Sequence, residues 1–252
     1  MTLILKNINA LLLGLTLSFT GMVSNARAEV GQSEDRDLEV SVTLDLLSDY
    51  MWRGFNLYRG FSIQPQVEVG YSLGDLGTVK GLVWSHFSTQ GDRNVDAFAE
   101  VDYTLAYEYG WEGGSVEAGH LWYSYPREGD DIADTSEIYA TVALDLPLSP
   151  SVSWYRDYKE FDSNYFELAL SHDFETTLLD TECVVTPGVE VGFGHNAEKY
   201  YAKDGLEQIT YSVAVSFPVR ELTLTPNVSY TDGIDQATVN RFWGGVNIAY
   251  NW

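Results

Sequence analysis

Cysteine is nearly absent: one residue, Cys183, stands in a chain of 252. A lone thiol forms no internal disulfide, which excludes the disulfide-stapled class of small secreted domains. Positive charge is scarce too. Lysine and arginine number 14 against 37 aspartates and glutamates, a formal net charge of −23. So acidic a chain repels phosphate backbones, and nucleic acid is not an expected partner. No P-loop, dinucleotide fingerprint, zinc-ligand spacing or nucleophile elbow occurs, so no cofactor and no metal is expected. Past residue 28 there is no apolar run of 18 residues, so no membrane-spanning helix is expected.

The two ends are distinctive. Lys6 opens a short basic stretch, "ALLLGLTLSFTGMV" is apolar, and "ARA" at 26–28 offers small residues for cleavage. This reads as a secretory signal peptide over residues 1–28, cut after Ala28. Its removal takes two of the 14 basic residues and none of the 37 acidic ones. The other end, "FWGGVNIAYNW", keeps an alternating pattern through to Trp252. Such an end is expected to be structural rather than frayed.

What fills the middle is a period of two. Between Val95 and Tyr109, Val101, Tyr103, Leu105 and Tyr107 alternate with Glu100, Asp102, Thr104 and Ala106. Leu38 to Leu46, Ile209 to Phe217 and Leu222 to Tyr230 repeat the arrangement. Each stretch has one apolar and one polar face, the mark of a half-buried strand. About twelve such strands are expected, at 38–48, 62–73, 78–88, 95–109, 114–124, 136–146, 151–158, 164–174, 182–193, 207–217, 221–231 and 241–252. The connections alternate between tight turns, such as "GDLG" at 74–77, and longer polar segments, such as 49–61 and 194–206. Short turns on one rim and long loops on the other are the anatomy of an outer-membrane barrel. The expected fold is all-β: a single up-and-down antiparallel transmembrane β-barrel over residues 29–252. Both termini would then lie on the short-turn, periplasmic side of a Gram-negative outer membrane.

Alternation by itself also suits a soluble barrel with its apolar face inside. Three features favour the inverted arrangement. The apolar bands are about ten residues long, the length of a tilted spanning strand. Tyrosines and tryptophans gather near strand ends, where an aromatic girdle belongs; Tyr50, Tyr71, Tyr107, Trp111, Tyr123 and Tyr125 are examples. The secretion signal and the aromatic end fit the same account.

Two resemblances then appear. The terminal Tyr250 and Trp252 are similar to the signature that outer-membrane barrels present to their assembly machinery. The segment "VSVTLDLLSDYMWRGFNLYRGFSIQPQVEVGY", residues 40–71, resembles the opening of the TorF-type porins. Ser48, Asp49, Tyr50, Arg53, Gly54 and Pro65 carry that likeness. It implies an outer-membrane location and a channel, with outer-membrane lipid, lipopolysaccharide, the assembly machinery and small solutes as partners.

If the apolar face meets lipid, the polar face lines the interior. That assigns Glu39, Asp45, Glu68, Asp96, Glu100, Asp102, Glu137 and Glu167 to the lumen, with Lys80 and Arg241 as its few bases. Walls of one sign focus their field and enrich cations. Arg53 and Arg59, in the first long connection, are candidate constriction residues. The acidic runs at 127–134 and 231–235 are candidate outer-rim cation sites, though neither has EF-hand spacing. The expected function is porin-like diffusion of small cationic or neutral solutes. The alternatives are an outer-membrane lipid-modifying enzyme, a non-conducting structural or adhesive barrel, and a secreted soluble β-barrel binding protein. Outer-membrane phospholipases look like twelve-stranded barrels with a His-x-Ser pair facing lipid. Here His86 and Ser88 have that spacing but fall on the lumen parity, and Thr89-Gln90 follows them, so catalysis is not expected.

Overall fold

The computed structural model describes residues 37–88, 99–126, 133–178 and 180–252. The expected leader, Asp96 and residues 127–132 of the acidic run at 127–134 lie outside these residues. Thirteen strands follow one another: β1 (Leu38–Trp52), β2 (Phe55–Ser72), β3 (Thr78–Ser88), β4 (Ala99–Trp111), β5 (Gly114–Ser124), β6 (Thr135–Leu144) and β7 (Ser151–Asp157). They continue with β8 (Ser163–Ser171), β9 (Phe174–Leu178), β10 (Thr181–His195), β11 (Gly205–Val219), β12 (Leu222–Gly233) and β13 (Arg241–Asn251). Every pairing is antiparallel, and consecutive strands pair with one another except β8 and β9, which both pair with β10.

The sheet closes. β13 pairs with β1 from Ser41↔Asn251 to Leu47↔Gly245, and Val40 and Trp252 exchange both backbone hydrogen bonds at 3.0 and 2.8 Å. Closure leaves twelve strands in the ring with their ladders satisfied, the condition for crossing hydrocarbon without water. β9 is additional. It meets β10 at Val185↔Phe174 in the register that β8 sets at Gly188↔Ser171, so it prolongs β8 beyond the rim.

The pleat puts alternate side chains on opposite walls, and the walls differ as the alternation requires. Outward lie Val42, Val67, Val83, Leu105, Val142, Val152, Leu168, Val213 and Val228, each more than a third exposed. A soluble monomer rarely shows an apolar belt of this extent. Two aromatic girdles edge it. Tyr71, Tyr107, Tyr109 and Trp111 stand at the short-turn end; Phe61, Phe87, Trp122, Tyr158 and Phe242 stand at the loop end. Other aromatics do not join them. Tyr50 and Tyr123 are buried and Tyr125 packs against the same interior cluster. Their parity sends them inward, which nearness to a strand end could not show.

The first connection also departs from expectation. Residues 49–61 form no polar loop: β1 runs to Trp52, β2 starts at Phe55, and a two-residue turn at Arg53–Gly54 joins them. Both turn residues have positive φ, 47° and 86°. The second is tolerated because glycine has no Cβ to clash. Register shifts between Leu47 and Asp49 and between Tyr50 and Met51 bend this hairpin. The bend folds the tip into the barrel mouth, where Trp52 and Phe55 pack on buried interior residues. Tertiary contact thus buries Asp49, Tyr50, Met51 and Arg53 of a segment too irregular to read as strand, while Leu57, Arg59 and Phe61 stay exposed. The second departure is at 175–181, expected as a loop, where β9 and the start of β10 form the overhanging hairpin.

Candidate functional site

Many of the charged residues of the strands converge in the interior, and its two halves are unlike. On β10 to β13 the inward residues are mostly short: Thr186, Ser212, Ala214, Ser216, Thr225, Ser229 and Asn247 are all buried, with Glu190, Gln208 and Trp243 as larger exceptions. On β3 to β8 they are long: Trp84, Glu100, Asp102, Tyr123, Glu137, Tyr139, Tyr155 and Tyr165, also buried. Long side chains from one wall therefore reach across to a wall that leaves them room. Tyr139 and Tyr165 lie flat over glycines of the neighbouring strands. A Cβ on Gly119 would stand 2.4 Å from the Tyr139 hydroxyl, and one on Gly192 would stand 2.0 Å from the Tyr165 hydroxyl.

Two ion clusters sit among these aromatics. Toward the short-turn end, Lys80 reaches Glu108 at 2.5 Å and Glu117 at 2.9 Å, and the Tyr139 hydroxyl donates to Glu117 at 3.0 Å. Glu68 is buried nearby. Toward the loop end, Arg53 meets Glu137 through both guanidinium nitrogens, at 2.7 and 2.8 Å. Tyr123 donates to the same carboxylate at 2.8 Å, and Tyr50 donates to Glu100 at 2.8 Å. The Arg53 guanidinium also lies over the rings of Trp52, Tyr155 and Tyr165, at 4.6, 4.5 and 4.5 Å. Burial opposes its charge, and the Glu137 carboxylate more than offsets that, holding the guanidinium protonated.

Arg53 belongs to the hairpin of β1 and β2, yet it lands on β6, β7 and β8. β7 stands six strands from β1 in either direction round the ring. The side chain therefore spans the barrel. The connection between β10 and β11 covers it: the Tyr201 hydroxyl donates to the Arg53 carbonyl at 3.1 Å, and Tyr200 and Tyr201 pack beside Trp52 and Phe55. Both tyrosine hydroxyls are pushed up, chiefly by burial. A backbone staple holds the cover. Asp235 accepts from the N–H groups of Ala202 and Ala237 at 2.9 and 2.8 Å, and Asp204 accepts from Asn196 and Ala197 at 2.9 and 3.0 Å. Of the run at 231–235, Asp235 is thus engaged as a loop tie.

The residues singled out from the sequence fall as follows. Asp45, Glu68, Lys80, Glu100, Asp102 and Glu137 are buried on the inner wall; Glu167 is half-buried there; Glu39 lies on the inward parity near the short-turn rim. Asp45 accepts from Asn247 at 2.9 Å across the seam. Arg241 stands at the loop rim, where it pairs with Asp49 at 2.7 Å rather than with the central acids. Arg53 turns in, but Arg59 is exposed on the outward parity of β2, away from any constriction. Tyr250 pairs with Val42 and Leu222, tying the last strand to both neighbours. Glu117 escaped sequence reasoning. Its strand reads Val116, Glu117, Ala118, Gly119, His120, Leu121, so the alternation blurs, and Leu121 itself turns in.

His86 is fully buried on the inner wall, with the Ser62 hydroxyl 2.8 Å from its Nδ1. The hydroxyl beside it is therefore Ser62, on β2, and not Ser88. A Ser–His pair on the inner wall has no access from the lipid.

No protein-family model matches the chain, and neither does any curated protein. Solved structures do. The chain is similar to LpxR from Salmonella typhimurium, with 10% identity, a TM-score of 0.52, and 84% of this chain and 99% of that one covered. It is similar to an outer membrane channel from Pseudomonas putida F1, with 12% identity, a TM-score of 0.50, and 85% and 94% covered. A KdgM porin aligns at 12% identity over 84% and 98%, with a TM-score of 0.48. At these identities the likeness shows the fold, that of an outer-membrane β-barrel.

Proposed function

We propose that this chain is an outer-membrane channel for small cationic or neutral solutes, with its first hairpin folded into the lumen. The observation that supports the reading is the sign of the inner wall. Asp45, Glu68, Glu100, Asp102, Glu108, Glu117 and Glu137 face inward with Lys80 as the one buried lysine or arginine among the described strand residues, while the outer wall is apolar. Carboxylates placed where a soluble barrel would hold its oily core serve passage better than packing. In low-dielectric walls they raise the local concentration of cations and repel anions. Leu38 at the start of β1 and Trp252 lie at the short-turn rim, which the reading places in the periplasm, with Tyr250 and Trp252 as the mark for the assembly machinery.

A closed interior favours a second reading. Glu100, Asp102, Glu137 and His86 are each at most 2% exposed, so side chains rather than water surround them. A barrel permanently so packed would be structural and conduct nothing. Twelve strands lie between the eight that enclose a filled interior and the sixteen that enclose a channel.

Planar-bilayer recording separates the two. The channel reading expects discrete current steps and a reversal potential on the cation side in a salt gradient. It also expects Arg53→Ala, which removes the spanning side chain, to raise the open fraction. Silence at every voltage, in both the intact chain and Arg53→Ala, would end the channel reading and leave the barrel.

A further inference from the structure

We infer that Glu137, Tyr123, Tyr155 and Tyr165 form a binding site for the guanidinium group of a passing solute, occupied here by the chain's own Arg53. The inference deepens the channel reading of the same interior and rests on it.

The site is complete on the strands. Glu137 belongs to β6, Tyr123 to β5, Tyr155 to β7 and Tyr165 to β8, four consecutive strands of the closed ring. Each is at most 4% exposed. Tyr123 donates to Glu137 at 2.8 Å, which fixes the carboxylate while leaving both oxygens to accept from one planar fork at 2.7 and 2.8 Å. Tyr155 and Tyr165 bring their rings to 4.5 Å from the guanidinium carbon. A carboxylate read in bidentate fashion between aromatic faces selects a flat, delocalised cation over a compact ammonium.

The occupant is not part of those strands. It arrives on a two-residue turn whose backbone is in the left-handed region at Arg53 and Gly54. Its carbonyl is held by Tyr201, and that of Gly54 by the N–H of Val239, both from other outer connections. Swinging this hairpin outward would leave Glu137 with Asp102 close by and its cation gone. A buried carboxylate in that position must either take up a proton or find a replacement cation. A solute carrying a guanidinium would supply the same fork and the same flat face. Arg53 then acts as an internal mimic of the solute, and entry is an exchange of one guanidinium for another.

The test is made in detergent, so it does not depend on conduction. Arg53→Ala is refolded, its barrel verified by heat-modifiable electrophoretic migration, and titrated with millimolar guanidinium chloride at constant ionic strength. Intrinsic fluorescence reports binding, since Trp52 packs beside both Arg53 and Tyr123. Arg53→Gln replaces Arg53→Ala if the smaller side chain prevents folding. The expected result is a saturable change, about tenfold weaker with methylammonium. It should be lost when Glu137→Gln is added, and absent in the intact chain. No saturable change in the folded variant, or a change that survives Glu137→Gln, would overturn the inference. A barrel that binds guanidinium and never conducts keeps the site and loses the channel. One that conducts without binding keeps the channel and loses the site.

Discussion

Arg53 and Glu137 show how much one pair can hold when water is excluded. Both are at most 4% exposed, and the pair bridges opposite walls. Removing one partner of a buried pair leaves an uncompensated charge, at a cost of about 3–5 kcal/mol. Glu137→Gln should therefore lower unfolding stability in urea and detergent by about that amount. The double variant Arg53→Ala, Glu137→Gln should lose less than the sum of the singles, because it leaves no charge stranded. Strict additivity in the cycle would show that the two groups do not act as a pair. Steric fit matters on the same scale. A Cβ at Gly119 would meet the Tyr139 hydroxyl at 2.4 Å, so Gly119→Val should displace that ring and loosen its bond to Glu117. The expected readout is a lower unfolding midpoint for Gly119→Val than for Gly81→Val, whose added Cβ meets nothing within 4 Å.

Elements differ in how much of the fold depends on them. β9 is exposed throughout and pairs with β10 alone. Amides of Phe174–Leu178 should exchange with solvent well before those of β8, which has β7 on its other side. Equal protection by hydrogen exchange would mean that β9 is covered in the membrane. The outer connections carry a pH dependence. Burial works to raise the Asp235 carboxyl, but the N–H groups of Ala202, Ala237, Gln236 and Lys203 outweigh it and lower it. The N–H groups of Asn196 and Ala197 lower Asp204. Both groups are thus more acidic folded than unfolded. Their stabilisation is in full above the ordinary carboxylate value of about 4 and is lost as pH falls through the folded values. Residues 196–204 should become protease-sensitive only in acid below about pH 4 and stay resistant near neutrality. Asp235→Ala should make them sensitive at both, as two backbone donors lose their acceptor.

For the whole molecule the governing fact is orientation. Apolar side chains face out and carboxylates face in, so the chain is expected to need detergent or lipid. Neutralising Glu100, Asp102 and Glu137 together should shift the reversal potential toward zero. Unchanged selectivity would show that these groups lie off the path. That experiment is best read on the Arg53→Ala background, where the spanning side chain no longer masks Glu137.

Much of this was written in the order of residues. A period of two, sustained through strand after strand, fixes which side chains share a wall, because the pleat admits no other arrangement. Strand limits at 78–88 and 114–124, the inward parity of Glu68, Glu100 and Asp102, and closure by the last strand all follow from it. Where alternation blurs, as around Glu117 or across 49–61, the sequence lost its voice. Whether the lumen is filled was never local information. It depends on side chains from strands far apart in sequence meeting across the ring, and on whether a hairpin tip turns in or out. Arg53 lies 84 residues from Glu137. Only closure of the barrel brings an arginine at the mouth against a carboxylate on the far wall. Only the low dielectric there makes that encounter a strong, buried ion pair across the interior.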